Sequence, residues 1–207
     1  MPEDQRGIEV VHPYYKIVKG IPAAIVRSYK EPLYDSEVIL AATPSREFVL
    51  YAKPVGQTMN DGTVKTFLQS NQTQASQLGS PLSFDVYGFN ARLEEVGQKI
   101  VAIGNFDLVY GNAVAEVIFG QDNKFLTIPV SDVPAGVDTE GLAVTDAPHI
   151  GWGVSDNIYR FDIGGRALHI NSTEPYSVKI SFPSTLAGIT GNLLFRWFMR
   201  GIKYKGV

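Results

Sequence analysis

The chain contains no cysteine. That excludes a disulfide framework, thiolate zinc sites and a cysteine nucleophile. Histidine is scarce: His12, His149 and His169 are the three, and none lies within four residues of another. Neither a helix nor a strand therefore sets two imidazoles on one face for a metal, and the paired histidines of a cupin metal site are missing. No run approaches the ~18 apolar residues of a membrane-spanning helix. The opening MPEDQRGIEV is acidic and has no charged-then-apolar pattern, so no secretion signal is expected. A formal net charge of −3 gives no overall reason to expect nucleic acid as a partner. The spacings G-x-S-x-G and G-x-x-x-x-G-K are absent. Glu94 and Glu95 are adjacent, so a strand would point them to opposite faces, unlike a glycosidase pair. No catalytic, metal-binding or cofactor-binding residue is assigned.

What the chain does have is apolar content, 44% of 207 residues, which is enough for a substantial core. It also has 20 glycines and 12 prolines spread along its length, as in β proteins with many turns. The clearest signal is AVAEVIFGQDNKFLTIPV, Ala113 to Val130. Two runs rich in β-branched and aromatic residues flank Gly120, Gln121, Asp122 and Asn123, which spells a hairpin. Val114, Ile118, Phe125 and Ile128 are its expected buried positions. Pro129 lacks an N–H, so the second strand should stop or reach an edge there.

Residues 1–44 read as an extended, irregular arm, because Pro2, Pro13, Pro22, Pro32 and Pro44 disfavour helix at regular intervals. Tyr14, Tyr15 and neighbouring apolar residues suggest that it lies on a surface, either its own domain or a neighbouring subunit. Within it, Glu37 to Leu40 is a candidate short strand. Residues 45–207 form the second segment. Strands are expected near 46–53, 82–93, 113–119, 124–130, 159–163, 167–173, 176–182 and 192–204. Thr66 to Gln77 reads as a polar loop and 98–110 as a short helix. Ser131 to Asn157 is a long weak stretch, of the kind that is functional or makes subunit contacts. Gly88 inside LSFDVYGFNARL marks a bulge or bend. The turns at Gly164-Gly165 and Glu174-Pro175 predict a meander of hairpins. Eight antiparallel strands joined by both tight turns and long loops predict an all-β fold, a single eight-stranded jelly-roll sandwich.

Two clusters carry candidate chemistry. His169 with Asp162 and Glu174 could converge across neighbouring strands, although a half-buried strand histidine is the plainer reading. At the C-terminus, Arg196, Arg200, Lys203 and Lys205 lie among Trp197 and Tyr204, a combination suited to an anionic membrane or to nucleic acid. A final strand with a basic polar face is the alternative.

The order of these words, EFVLYAKPVGQT, SNQTQASQLGSPLSFDVYGF, VIFGQDNKFLTIPVSDVPAG, ALHINSTEPYSVKISFP and LLFRWFMRGIKYKGV, resembles the small jelly-roll major capsid proteins of icosahedral, tailless bacteriophages, several of which enclose a membrane. The likeness runs from about Glu47 onward. It implies a non-enzymatic coat subunit that assembles with copies of itself, and with a second capsid protein in some shells. It further implies synthesis in the host cytoplasm, residence in the virion, and contact with an internal membrane or the genome. It implies no cofactor and no small-molecule substrate. The competing expectation is a carbohydrate-binding β-sandwich whose aromatics, Tyr14, Tyr15, Tyr87 and Trp152, stack on sugars.

Overall fold

The computed structural model describes residues 26–97, 101–120, 124–133, 137–138, 149–152, 158–160, 167–182 and 186–206. The N-terminal segment through residue 25 and the acid Asp162 lie outside these, with His12, Tyr14 and Tyr15. Most of the 131–157 stretch lies outside them too.

The described chain is mostly β, and every strand pairing is antiparallel. The strands are β1 (Val26–Tyr29), β2 (Leu33–Ile39), β3 (Glu47–Leu50), β4 (Leu82–Glu95), β5 (Val101–Ala102), β6 (Val114–Phe119) and β7 (Lys124–Pro129). There follow β8 (Val137–Asp138), β9 (His149–Trp152), β10 (Tyr159–Arg160), β11 (Leu168–Ile170), β12 (Tyr176–Ser181) and β13 (Leu193–Gly206). One helix, α1 (Ile103–Tyr110), follows β5.

In the first sheet β13 and β4 lie side by side. β1 and β2 both pair with β13 on its far side, and β10 and β11 both pair with the far side of β4. The second sheet runs β3-β12-β6-β7. A small third sheet joins β5, β9 and β8. The two main sheets share one apolar core: Phe84, Phe89, Leu93, Phe195 and Trp197 from the first meet Leu50, Val117, Val178 and Ile180 from the second. Phe48 of β3 meets Phe195 of β13 edge-on at 5.8 Å between centroids.

The β6–β7 hairpin forms where the glycine and asparagine cluster predicts it. β7 ends at Pro129 on the sheet's edge, where a missing N–H leaves no ladder bond unmade. Its buried side is partly the other one. Ala115, Val117 and Phe119 face the core with Ile128, while Val114, Ile118 and Phe125 are half-buried. Both faces of VAEVIF carry apolar residues, so alternation alone does not choose between them. α1 also agrees with its predicted place, with Phe106 and Tyr110 stacked 4.2 Å apart on successive turns.

Four expectations are corrected. The irregular reading of 1–44 fails from Val26 onward, since β1 and β2 are full members of the first sheet and β2 spans Leu33–Ile39, well beyond the expected Glu37–Leu40. The alternation was hidden because Asp35, Ser36 and Glu37 are polar yet buried, and their partners lie elsewhere in the chain. Second, strict alternation along LSFDVYGFNARL would put Phe89 and Ala91 on the face opposite Phe84 and Val86, and the structure does not. The register with β13 skips Tyr87, so this extra residue returns Phe89 and Ala91 to the core side. Third, β11 and β12 are not neighbours in a meander: β11 pairs with β4, and the turn at Glu174-Pro175 carries the chain into the second sheet. Last, the 131–157 stretch is not wholly loop, because β8 and β9 lie in it.

Thr66 to Gln77 is a loop of turns, as expected, and it lies along the open edge of β2. The Tyr34 N–H donates to Asn71 Oδ1 at 2.9 Å, and the Asn71 N–H returns to the Tyr34 carbonyl at 3.2 Å. Ser36 Oγ donates to the Gln69 carbonyl at 2.7 Å. Main-chain groups that an edge strand would offer to another chain are thereby partly occupied.

Candidate functional site

The four candidate cations all lie on β13, but they do not form one surface. Successive strand side chains alternate between faces, so even-numbered Arg196 and Arg200 oppose odd-numbered Lys203 and Lys205. Arg196 pairs across from Arg92, and Arg200 from Gly88, on the outer face; Lys203 and Lys205 pair across from Phe84 and Leu82. The parity of the residue numbers was a signal available in the sequence.

On the outer face the arginines are fixed rather than free. Arg196 Nε donates to Ser36 Oγ at 3.0 Å, and its Nη1 lies 3.6 Å from Glu94 Oε1. Arg200 Nε donates to Asn90 Oδ1 at 2.8 Å. The guanidinium carbons of Arg92 and Arg200 sit 5.3 and 5.0 Å from the Phe198 ring centroid, so two cations share one ring. Burial lowers the pKa of Arg92, Glu94 opposes that shift, and the neighbouring Arg196 adds to it. Arg92 was not singled out in the sequence because the extra residue at Tyr87 hides its face. The strip thus holds three guanidiniums, one carboxylate and two aromatic rings, those of Phe198 and Tyr34, 6.0 Å apart. Glu95, on the opposite face from Glu94, accepts the Ala102 N–H at 3.1 Å.

Lys203 and Lys205 line a groove of about 490 Å³ with Glu31, Thr73, Ser80 and Leu82. Lys203 Nζ lies 3.4 Å from Glu31 Oε2, so one of the two charges is already countered.

His169 meets a partner that the sequence did not suggest. Its Nδ1 is 2.6 Å from Oδ1 of the buried Asp85, its register partner on β4, and its Nε2 is 3.1 Å from Asn171 Oδ1. Both ring nitrogens thus face oxygen acceptors, the arrangement of an imidazolium. The hydrogen bond to Asp85 raises the His169 pKa, burial opposes it, and Glu174 contributes a smaller upward pull. Glu174 therefore belongs near His169 as expected, whereas Asp162 is outside the described residues. His149 lies on β9, remote in sequence and sheet from β11. Among the described residues, no group of three or more His, Asp or Glu side chains is arranged to hold a metal ion. Nor is any described helix long and apolar enough to cross a membrane.

One further surface feature stands out. Phe67 and Leu68 are 65% and 76% exposed at the tip of the loop that covers the β2 edge, with Val64 exposed beside them. Their main chain is held by the N–H groups of Gln69 and Ser70, which donate to the Thr66 carbonyl. Of the expected sugar-stacking aromatics, Tyr87 is half-buried at the β4 bulge.

Comparison with protein-family models, with curated proteins and with solved structures found no match to this chain.

Proposed function

We propose that this chain is a capsid subunit of a tailless icosahedral bacterial virus, a single jelly roll that works by packing against copies of itself. The observation that carries this reading is strand order. β1 and β2 occupy one position beside β13, and β10 and β11 occupy one position beside β4. Counted so, the sandwich has eight positions. The first sheet takes the first, eighth, third and sixth in chain order; the second takes the second, seventh, fourth and fifth. We read that interleaving as two nested Greek keys, an order that viral coat domains share with lectin domains and cupins.

Two features favour assembly over ligand chemistry. Among the described residues, Arg196 is paired with Glu94, Lys203 with Glu31 and His169 with Asp85, so these groups are engaged within the fold. The exposed Phe67 and Leu68 sit on the flank of the sandwich, where a neighbouring copy would bury them. Such a subunit is made in the host cytoplasm and ends in the virion, with a second capsid protein, genome or membrane as its further partners.

Purified protein examined by sedimentation velocity and electron microscopy across concentration and salt should form closed particles or discrete capsomers. A deletion of residues 2–25, which keeps every described strand, should fold and lose that assembly if the arm ties subunits together. A strictly monomeric full-length protein under all conditions would remove the proposal.

A further inference from the structure

Asp35 on β2 and Lys65 in the loop that follows β3 form an ion pair sealed from solvent, with side chains 0% and 1% exposed. Lys65 Nζ lies 2.8 Å from Oδ1 and 3.1 Å from Oδ2, so the nitrogen sits against the carboxyl group as a whole. The Tyr51 N–H donates to Oδ2 at 2.6 Å, while the nearby Ser70 hydroxyl donates to the Tyr34 carbonyl at 3.3 Å. Tyr51, Tyr176 and Trp197, all buried, belong to the same interior.

A charged pair in such surroundings is costly, and moving one proton from the ammonium to the carboxylate gives an uncharged amine and carboxylic acid. Burial raises the Asp35 pKa, which favours that exchange, while Lys65 opposes it. An uncharged amine held against a carboxyl carbon is a nucleophile beside an electrophile, with orientation already fixed by the fold. The Tyr51 N–H is placed to stabilise negative charge developing on Oδ2 during attack.

We propose that Lys65 Nζ and Asp35 Cγ condense into an intramolecular amide, a cross-link between β2 and the loop. The Nζ–Cγ bond forms and the Cγ–Oδ1 bond breaks. Oδ1 leaves as water with two of the three ammonium protons, and the third remains on the amide nitrogen. No oxidant, reductant or cofactor takes part. Exclusion of solvent protects the product from hydrolysis, and the bond joins positions 30 residues apart.

The test is the mass of full-length purified protein under denaturing conditions. Wild type should be lighter than its sequence by one water molecule, and Lys65→Arg should match its own sequence. Tandem fragmentation should find a branched peptide joining the segments that contain Asp35 and Lys65, with no tryptic cleavage after Lys65. A wild-type mass equal to that of the sequence overturns the proposal. So does a water loss mapped to Asp61-Gly62, where a cyclic imide is the competing product. If Lys65→Arg does not fold, mapping of the wild type alone decides. The measurement needs no assembly, so its outcome is independent of the coat-protein reading.

Discussion

His169 and Asp85 face each other across adjacent strands at 2.6 Å, and the carboxylate is buried while the imidazole is half-exposed. β11 meets β4 over only three register pairs, and this contact is the central one. The bond to Asp85 raises the His169 pKa above the ordinary 6.5, with Asn171 and Glu174 acting in the same direction. A histidine whose pKa is higher folded than unfolded binds its proton more tightly in the native state. Its contribution is therefore complete below about pH 6.5, the unfolded value, and is lost as pH rises through the folded value. The melting-temperature difference between wild type and His169→Gln should be positive at acidic pH and shrink on the alkaline side. A difference that stays constant from pH 5 to pH 9 would contradict this.

Gly201 and Gly104 should respond to alanine with opposite signs. A Cβ on Gly201 would lie 2.0 Å from the Asp85 carbonyl oxygen and 2.5 Å from the Phe84 ring, both held within the sheet. Gly201→Ala must therefore displace β13 from β4 at the bulge, at about 1–3 kcal/mol or more. A Cβ on Gly104 meets nothing within 4 Å, and this residue lies in α1. Gly104→Ala should stabilise by about 0.4–1 kcal/mol through the unfolded chain. Urea titrations of both variants check the pair.

How much of this was legible beforehand depended on whether a residue's partner was near in sequence. The β6–β7 hairpin and α1 are local, and their turn residues and spacing predicted them. β2 was obscured because Asp35 and Glu37 look like surface residues until Lys65 and Lys53 arrive from another segment to pair with them. The face of Phe89 depended on one skipped register position, which only the pairing with β13 reveals. The basic cluster failed as a single surface for the opposite reason. Strand parity separates 196 and 200 from 203 and 205, whereas charge alone joins all four. Asp85 was unreadable as the partner of His169, since 84 residues separate them.

Tyr51 adopts φ +68°, an uncommon conformation for a large side chain, just after β3 ends. Its N–H is held by Asp35, and its hydroxyl lies 3.2 Å from the carbonyl oxygens of both Leu33 and Trp197. The hydroxyl thus ties the β3 end to two strands of the other sheet. Tyr51→Phe keeps the ring contact with Tyr176, 5.4 Å between centroids, and removes only that tie. The expected loss is about 0.5–1.5 kcal/mol, plus a further penalty if either carbonyl is left unbonded. Denaturant midpoints measured at constant m-value read it directly.

Phe67 and Leu68 separate folding from assembly. Both side chains are mostly in solvent, so replacing each with serine should change monomer stability by no more than about 0.5 kcal/mol. The turn that carries them is closed by main-chain bonds to Thr66, and its attachment to β2 runs through Gln69, Ser70, Asn71 and the main-chain carbonyl of Phe67, so the change removes no group that makes these bonds. If copies pack flank to flank, the double variant should keep the wild-type melting temperature and shift sedimentation toward smaller species. A flank partly blocked to strand addition that still carries two apolar side chains favours contact through side chains over shared sheet hydrogen bonds. Unchanged assembly by a folded Phe67→Ser/Leu68→Ser protein would place the subunit contact elsewhere on the sandwich.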